Sequence, residues 1–234
     1  MQSQKIYNCD PSTILRYLHE WEIPIRKERY NSKYNINAHY FDTIDTESKA
    51  YFVGLLLADG HVSKDGLIML TMKDLDIVEK FRYVIGSNAP IKTDRYRNYA
   101  FNIRCKIMYE ALISLGFTNR KSYQIDLERI LSHIPKTLEH HFVRGLFDGD
   151  GSIRIYHYDY LKNPQYHFGF TGLQNVVDYV KRYCGLHTKT VKESDITYTC
   201  VSSCKETIND IYSKLYTNAT IYIDRKYQTF QEII

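Results

Sequence analysis

Asp59 and Asp150 close two short stretches that are built alike. The first reads Phe52-Val-Gly-Leu-Leu-Leu-Ala-Asp-Gly60 and the second Val143-Arg-Gly-Leu-Phe-Asp-Gly-Asp-Gly151, so the two acids stand 91 positions apart. Each stretch is an apolar run with small residues four apart, Gly54 and Ala58 in one, Gly145 and Gly149 in the other. Positions i and i+4 share a helix face, so a stripe of Gly or Ala there lets a second backbone come close. The Asp-Gly ending suits a helix that stops on a glycine just past its last turn. If the two helices pack along these stripes, Asp59 and Asp150 arrive side by side at one end of the pair. Two carboxylates at the negative ends of two helix dipoles repel unless a cation joins them. The expected chemistry is a divalent-metal site made by duplication. A calcium loop does not fit Asp148-Gly-Asp-Gly-Ser152, because Ile153 stands where that loop needs glycine and no Glu follows at its last ligand position.

The elements that would position these acids also repeat. Downstream the halves stay in step at an offset of 99: Gly86 answers Gly185, Tyr99 answers Tyr198, and Cys105-Lys106 answers Cys204-Lys205. Leu112 and Ser114 answer Ile211 and Ser213, Thr118-Asn119 answers Thr217-Asn218, and Tyr123 answers Tyr222. The growth of the offset from 91 to 99 places about eight extra residues in a longer hairpin between Ser152 and Thr171. Periodicity gives each half a motif helix (47–59; 138–150), a hairpin and an amphipathic helix. Leu75, Val78, Phe81 and Ile85 face inward in the first amphipathic helix, and Val176, Val177, Val180 and Tyr183 in the second. A second hairpin (91–105; 188–203) and a closing helix (106–115; 205–216) complete the half. The predicted fold is α+β: two αββαββα halves related by a pseudo-twofold axis, with the motif helices at their interface. Their antiparallel sheets, each with one face covered by helices, would form a concave saddle. The domain reading is an N-terminal helical segment over 1–40, a first half over 41–137 and a second over 138–234. In the N-terminal segment Asp10-Pro-Ser-Thr13 signals a helix start and Pro24 a stop, with Ile14, Leu15, Leu18 and Trp21 on one face. That pattern is similar to part of a helix-turn-helix.

The saddle is where a ligand is expected, and charge says which kind. The 234 residues carry a formal net charge of only +4, but the distribution is uneven. Lys92, Arg95, Arg97, Arg104 and Lys106 face a single acid, Asp94, and are interleaved with Tyr96, Asn98 and Tyr99. Basic residues among Tyr and Asn are suited to phosphates and bases. In the second half Ser152, Arg154, Tyr156 and Tyr158 alternate with Ile153 and Ile155, and His167, Gly169 and Thr171 extend that face. Lys64, Lys189, Thr197 and Thr199 complete the candidate nucleic-acid contacts. A β-ribbon fits the major groove and can present side chains to base edges, so double-stranded DNA is the expected partner. The 22 tyrosines add aromatic surfaces with polar tips. Five cysteines without a Cys-x-x-Cys pair argue for reduced thiols. No apolar run approaches the roughly 20 residues that span a bilayer, and no secretory signal pattern is present. A cytoplasmic setting (a nucleoid or a phage-infected cell) or an organelle is expected, with no export and no membrane.

The two nine-residue motifs resemble the paired signature of the LAGLIDADG homing endonucleases in their single-chain, two-motif form. Supporting segments are Thr43-Ile-Asp-Thr-Glu-Ser-Lys-Ala-Tyr51, Leu70-Thr-Met-Lys-Asp74 and Ser213-Lys-Leu-Tyr-Thr-Asn-Ala-Thr-Ile-Tyr222. The resemblance covers about residue 41 to the C-terminus. It implies a site-specific double-strand DNA endonuclease that acts as a monomer, promotes spread of its own coding element and leaves short 3′ overhangs at a long, partly asymmetric target. It implies metal binding by Asp59 and Asp150, with the carbonyls of Ala58 and Gly149 as further ligands and Mg2+ as the ion (Mn2+ or Ca2+ as substitutes). It also implies a catalytic role for Lys73, whose offset partner Gly172 breaks the symmetry; Gln174 or Arg154 could substitute there. Leu57 and Arg144 depart from the motif pattern at positions expected to lie away from the metal. An intron maturase, or a non-cleaving DNA-binding regulator, is the alternative on the same fold.

Overall fold

The structure, a computed structural model, describes residues 10–21, 33–118 and 124–234. The chain divides into two compact units, Met1–Tyr30 and Asn31–Ile234. In the first, helix α1 (Pro11–Glu20) begins where the Asp10-Pro-Ser signal placed it, and Tyr17 stacks on Trp21 at 5.3 Å. Pro24, and Asn119 and Tyr123 of the repeat, lie outside the described residues.

The second unit starts its repeat with α2 (Glu47–Ala58), capped by the Thr46 hydroxyl, which accepts from the Lys49 amide. Every residue from Ala50 to Leu57 is buried, so this helix needs protein on all sides. It leads directly into β1 (Gly60–Val62), then β2 (Leu67–Met72), α3 (Leu75–Val84), β3 (Lys92–Thr93), β4 (Tyr99–Arg104) and α4 (Lys106–Leu115). The strands pair antiparallel in the order β1-β2-β4-β3. Alternation works as expected: Ile68, Leu70, Phe101 and Ile103 are buried, while Asn102 and Arg104 point out. The second copy runs α6 (Glu139–Asp150), β5 (Gly151–Tyr156), β6 (Gln165–Gly172), α7 (Gln174–Cys184), β7 (Val191–Lys192), β8 (Tyr198–Ser202) and α8 (Lys205–Tyr216), with strand order β5-β6-β8-β7. Buried apolar residues of both halves form one cluster. Among the described residues no helix is long and apolar enough to cross a membrane.

Three details differ from the sequence reading. Each half carries one more helix, α5 (Leu127–Ser132) and α9 (Asp224–Ile233), and a 3-10 turn (Lys136–Leu138) precedes α6. The stretch that joins the halves, Ile130 to Glu139, is therefore largely structured. Second, Gly60 and Gly151 do not end their helices in the left-handed conformation; Gly151 has φ −91°. They are small because of crowding: a Cβ on Gly60 would lie 2.6 Å from the Leu56 carbonyl oxygen, and one on Gly151 would lie 2.5 Å from that of Phe147. Third, the Ser152–Thr171 hairpin holds nine extra residues relative to the first half, since Gly60 pairs with Leu70 and Gly151 with Phe170. One residue is lost again before β8.

Candidate metal and nucleic-acid site

The two motif helices pack on each other along the small-residue stripes. A Cβ on Gly54 would lie 2.2 Å from the Phe142 carbonyl oxygen, and one on Gly145 would lie 2.0 Å from that of Tyr51. At the carboxyl end a Cβ on Gly149 would meet the Ala58 Cβ at 2.3 Å and the Asp59 Oδ2 at 3.4 Å. Gly54, Ala58, Gly145 and Gly149 are thus all interface positions, and the acids follow from them. Asp59 is the C-cap of α2, its amide bonded to the Leu55 and Leu56 carbonyls, and its carboxylate reaches beside the residue preceding Asp150. Asp150, the last residue of α6, has its Oδ2 4.0 Å from where a Cβ on Gly172 would stand. Both acids are exposed, and the last carbonyls of a helix point past its end toward them. A cleft of about 170 Å³ beside Asp150 is lined by Leu57, Ala58, Gly172, Leu173 and Thr197 among others.

No cluster of three or more His, Cys, Asp or Glu side chains suited to a metal occurs among the described residues. The donors present are two carboxylates and helix-end carbonyls, all hard oxygen. That set fits a divalent cation that keeps water and takes ligand oxygens to complete its shell, as Mg2+ does. It does not fit a closed structural site.

Behind the acids the two halves diverge. Asp148 is buried, where the first half has Leu57, and accepts from the Tyr51 hydroxyl at 2.7 Å and the Ile223 amide at 2.9 Å. Burial raises its carboxyl above the usual range, against the pull of Lys226. Lys226, on α9, donates to the carbonyls of Phe147, Asp148 and Gly151, each at 2.7 Å, and so caps the end of α6. Burial pulls its ammonium down to about 8, while the charges of Asp148, Asp59 and Asp150 favour it. At the same place 99 positions earlier stands Leu127, a buried apolar residue. Lys226 went unnoticed in the sequence because α9 itself did.

Arg144, set aside in the sequence reading as harmless variation, is fully buried. Its guanidinium donates to Glu47 Oε1 (2.6 Å), the Leu215 carbonyl (2.7 Å) and the Ile221 carbonyl (2.8 Å), and lies 5.4 Å from the Tyr51 ring centre. Glu47 also accepts from the Thr220 amide and hydroxyl and the Ile221 amide. Burial alone would raise the Glu47 pKa, but these donors hold it below the usual range. The pair ties the first motif helix to the second half. The apolar neighbours Phe142, Val143, Leu146 and Phe147 hinted that this position is buried, but not at what pairs with it.

Lys73 lies exposed between β2 and α3. The next residue, Asp74, is held by Arg225 of α9 at 2.9 Å. Its expected partner Gly172 is corrected by the strand register: Met72 pairs with Tyr99 and Gly172 with Tyr198, so Leu173 occupies the place of Lys73.

The candidate contacts fall on the two exposed sheet faces and their turns. Lys92, Arg104 and Lys64 are exposed, with Arg104 ion-paired to Asp65. Arg95, Tyr96 and Arg97 form the β3–β4 turn, where the Asp94 carboxylate accepts from the Tyr96 and Asn98 amides and the Arg95 guanidinium lies 4.6 Å over the Tyr96 ring. Arg97 supplies the left-handed turn residue, φ 64°. On the second sheet Arg154 pairs in register with His167 and donates to the Tyr156 hydroxyl, and Tyr156 stacks toward Tyr158 at 6.1 Å. Burial, then Arg154, lowers the His167 pKa. Lys189 is exposed before β7; Thr197 and Thr199 are half-buried on the β7–β8 hairpin. The site reading also passed over Tyr160, which continues the tyrosine ladder at 5.4 Å from Tyr158.

No protein-family model and no curated protein matches the chain. Solved structures do. Meganuclease I-SmaMI bound to uncleaveable DNA is 14% identical with a TM-score of 0.56, covering 80% of this chain and 90% of that one. LAGLIDADG homing endonuclease I-GzeII, in complex with its DNA target, is 14% identical with a TM-score of 0.55 over 82% and 89%. The I-LtrWI LAGLIDADG homing endonuclease bound to target DNA is 12% identical with a TM-score of 0.54 over 84% and 89%. The chain has the fold of these endonucleases.

Proposed function

We propose that this chain is a site-specific DNA endonuclease that hydrolyses both strands of a long, partly asymmetric duplex target, acting as a monomer. The observation that carries the reading is the meeting of Asp59 and Asp150 at the ends of two abutting helices, each acid leading directly into the edge strand of a half-exposed sheet. The neighbours of like fold were solved with DNA, and I-SmaMI also in the presence of calcium ions.

Asp59 and Asp150, with the carbonyls of Ala58 and Gly149, would hold the divalent cation, for which Mg2+ is the natural ion. Such a cation lowers the pKa of an attacking water and stabilises charge at the scissile phosphate. The chain's own residues do the rest. The small-residue stripes fix the spacing of the two carboxylates. The sheets hold the duplex through Lys64, Lys92, Arg95, Tyr96, Arg97, Arg104 and Lys189 on its phosphates and through Arg154, Tyr156, Tyr158, His167, Thr197 and Thr199 against its bases. Lys73 places a positive charge on the first half, with Leu173 as its counterpart. The two strands therefore meet unequal surroundings and are cut at unequal rates, to give short 3′ overhangs.

The test is Asp59→Asn and, separately, Asp150→Asn, on a duplex selected by cleavage from a random library with Mg2+. Each variant should lose double-strand cleavage by at least about 100-fold while binding within about threefold of the unaltered chain. Unchanged cutting by either variant would overturn the assignment.

A further inference from the structure

The two sheets share one register but not one chemistry. Strand pairing puts Thr71, Ala100 and Lys92 in a row on the first sheet, and Thr171, Thr199 and Val191 in the matching row on the second. The next row outward is His61, Met69 and Asn102 in the first, against Ser152, Gly169 and Val201 in the second. Hydrogen bonds sharpen the contrast. The Thr171 hydroxyl donates to Thr199 Oγ1 at 2.9 Å, and Thr199 Oγ1 donates to the Phe170 carbonyl at 3.1 Å. Both hydroxyl protons are spent inside the protein. Thr171, Thr199, Val191 and Val201 thus form a surface block that offers methyl groups and no side-chain donor, with Val191 51% exposed. The block adjoins the acids, since Gly172 follows Thr171 and lies beside the Asp150 carboxylate.

Charge separates the sheets in the same sense. Between 92 and 98 the first hairpin carries Lys92, Arg95 and Arg97 against Asp94, whereas between 191 and 197 the second carries Lys192 against Glu193 and Asp195. In the major groove the thymine methyl is the one apolar feature of a base pair, while guanine presents two acceptors. Against the block of Thr171, Thr199, Val191 and Val201 those acceptors would be left dehydrated and unpaired, at a cost; the donors of this sheet, Ser152, Arg154 and His167, lie on its β5–β6 side.

We infer that the second sheet reads thymine methyls in the base pairs nearest the cut, while the first sheet anchors phosphates and purine acceptors through Lys92, Asn102 and its arginine turn. This rests on the DNA-cleaving reading and adds to it the base chemistry of each half-site.

The experiment uses the full chain and a duplex enriched from a random library by binding in calcium. Each thymine of that duplex is replaced singly by deoxyuridine, which removes only the methyl group. Thymines in one cut-proximal half-site should each weaken binding about twofold to fourfold on replacement, and thymines in the other half-site should not. Val201→Asn, which copies Asn102, should move the base preference from thymine toward adenine in that same half-site, so assigning it to the second sheet. Deoxyuridine-insensitive affinity in both half-sites, or a Val201→Asn shift in the half-site that ignores the methyl, would overturn the inference alone. Failure to enrich any duplex would remove the nuclease reading, and the inference with it.

Discussion

Gly149→Ala adds one methyl group at the point where the two helices bring their acids together. That methyl would stand 2.3 Å from the Ala58 Cβ. Comfortable carbon–carbon contact is about 3.5–4.0 Å, so the helix ends must part by roughly 1.2–1.7 Å. The Ala58 Cβ is fixed to its backbone and cannot rotate aside. Overpacking of this kind costs about 1–3 kcal/mol, which for a unit of this size lowers Tm by roughly 3–10 °C. Cleavage should suffer more, because metal-site distances tolerate only about 0.2 Å; a loss of at least 100-fold is expected. The double variant Ala58→Gly with Gly149→Ala moves the methyl across the interface and conserves the interface volume. Its propensity changes, about 0.5–1 kcal/mol each, oppose one another, so Tm and cleavage should both return most of the way. Thermal unfolding followed by circular dichroism, alongside cleavage of the selected duplex in Mg2+, reads both effects. A single variant that melts and cuts like the parent, or a double variant that recovers neither, would refute the packing argument.

Glu47→Gln should destabilise by about 3–5 kcal/mol, because it leaves the Arg144 guanidinium buried without its counter-charge. Arg144→Met should cost less, about 2–3 kcal/mol, since Glu47 keeps three donors from Thr220 and Ile221. Denaturant titration of both singles and the double should give strong coupling, and additive effects would show that the pair is not a unit. His141, whose Nδ1 lies 3.7 Å from Glu47, is pushed down to about 4 by burial, then by Arg144 and His140, against the pull of Glu47. The unfolded chain therefore binds the extra proton between about pH 6.5 and 4, so stability should fall as pH drops through that window. His141→Gln should remove that part of the slope, and an unchanged pH profile would argue against it. Arg95→Ala with Arg97→Ala should weaken DNA binding and reduce its salt slope by about 2; an unchanged slope would mean that this turn does not meet the duplex.

What was legible in the sequence was whatever repeats or alternates. The paired Gly/Ala stripes gave the helix interface, and the alternation of β5 put Ile153 inside and Arg154 outside. Offset-matched residues predicted two sheets with the same strand order. The helices α5 and α9 were missed because the repeat was followed only to Tyr123 and Tyr222, just short of both. The role of Gly60 and Gly151 was misjudged for a related reason. A glycine after a helix is usually a left-handed stop, but here each lies under its own helix, with no room for a Cβ against the Leu56 and Phe147 carbonyls. Arg144 and Lys226 were illegible because a charged residue earns burial only through partners distant in sequence. For Arg144 these are Glu47, Leu215 and Ile221, and for Lys226 they are the last carbonyls of α6.

Symmetry is kept where two equivalent groups must act together and dropped where a group serves one half alone. Asp59 and Asp150 are equivalent, as are Gly54 and Gly145, because each helix must make the same approach to the other. The buried polar groups are not equivalent. The position matching Glu47 is Leu138, that matching Arg144 is Val53, that matching Asp148 is Leu57, and that matching Lys226 is Leu127. These polar contacts therefore exist once: Glu47 with Arg144, Thr220 and Ile221, and Tyr51 with Asp148, join unlike halves, while Lys226 acts within the second half on the end of its motif helix. The Tyr51 hydroxyl finds Asp148 across the interface, whereas its own counterpart is Phe142, which has no hydroxyl to offer. A buried carboxylate or guanidinium without its partner costs several kcal/mol. Glu47 and Arg144 thus favour contact of the first half with the second over contact of either with a copy of itself. The same divergence reaches the surface, where the first sheet's β3–β4 turn carries Arg95 and Arg97 while the second sheet sets Thr171, Thr199, Val191 and Val201 beside the acids.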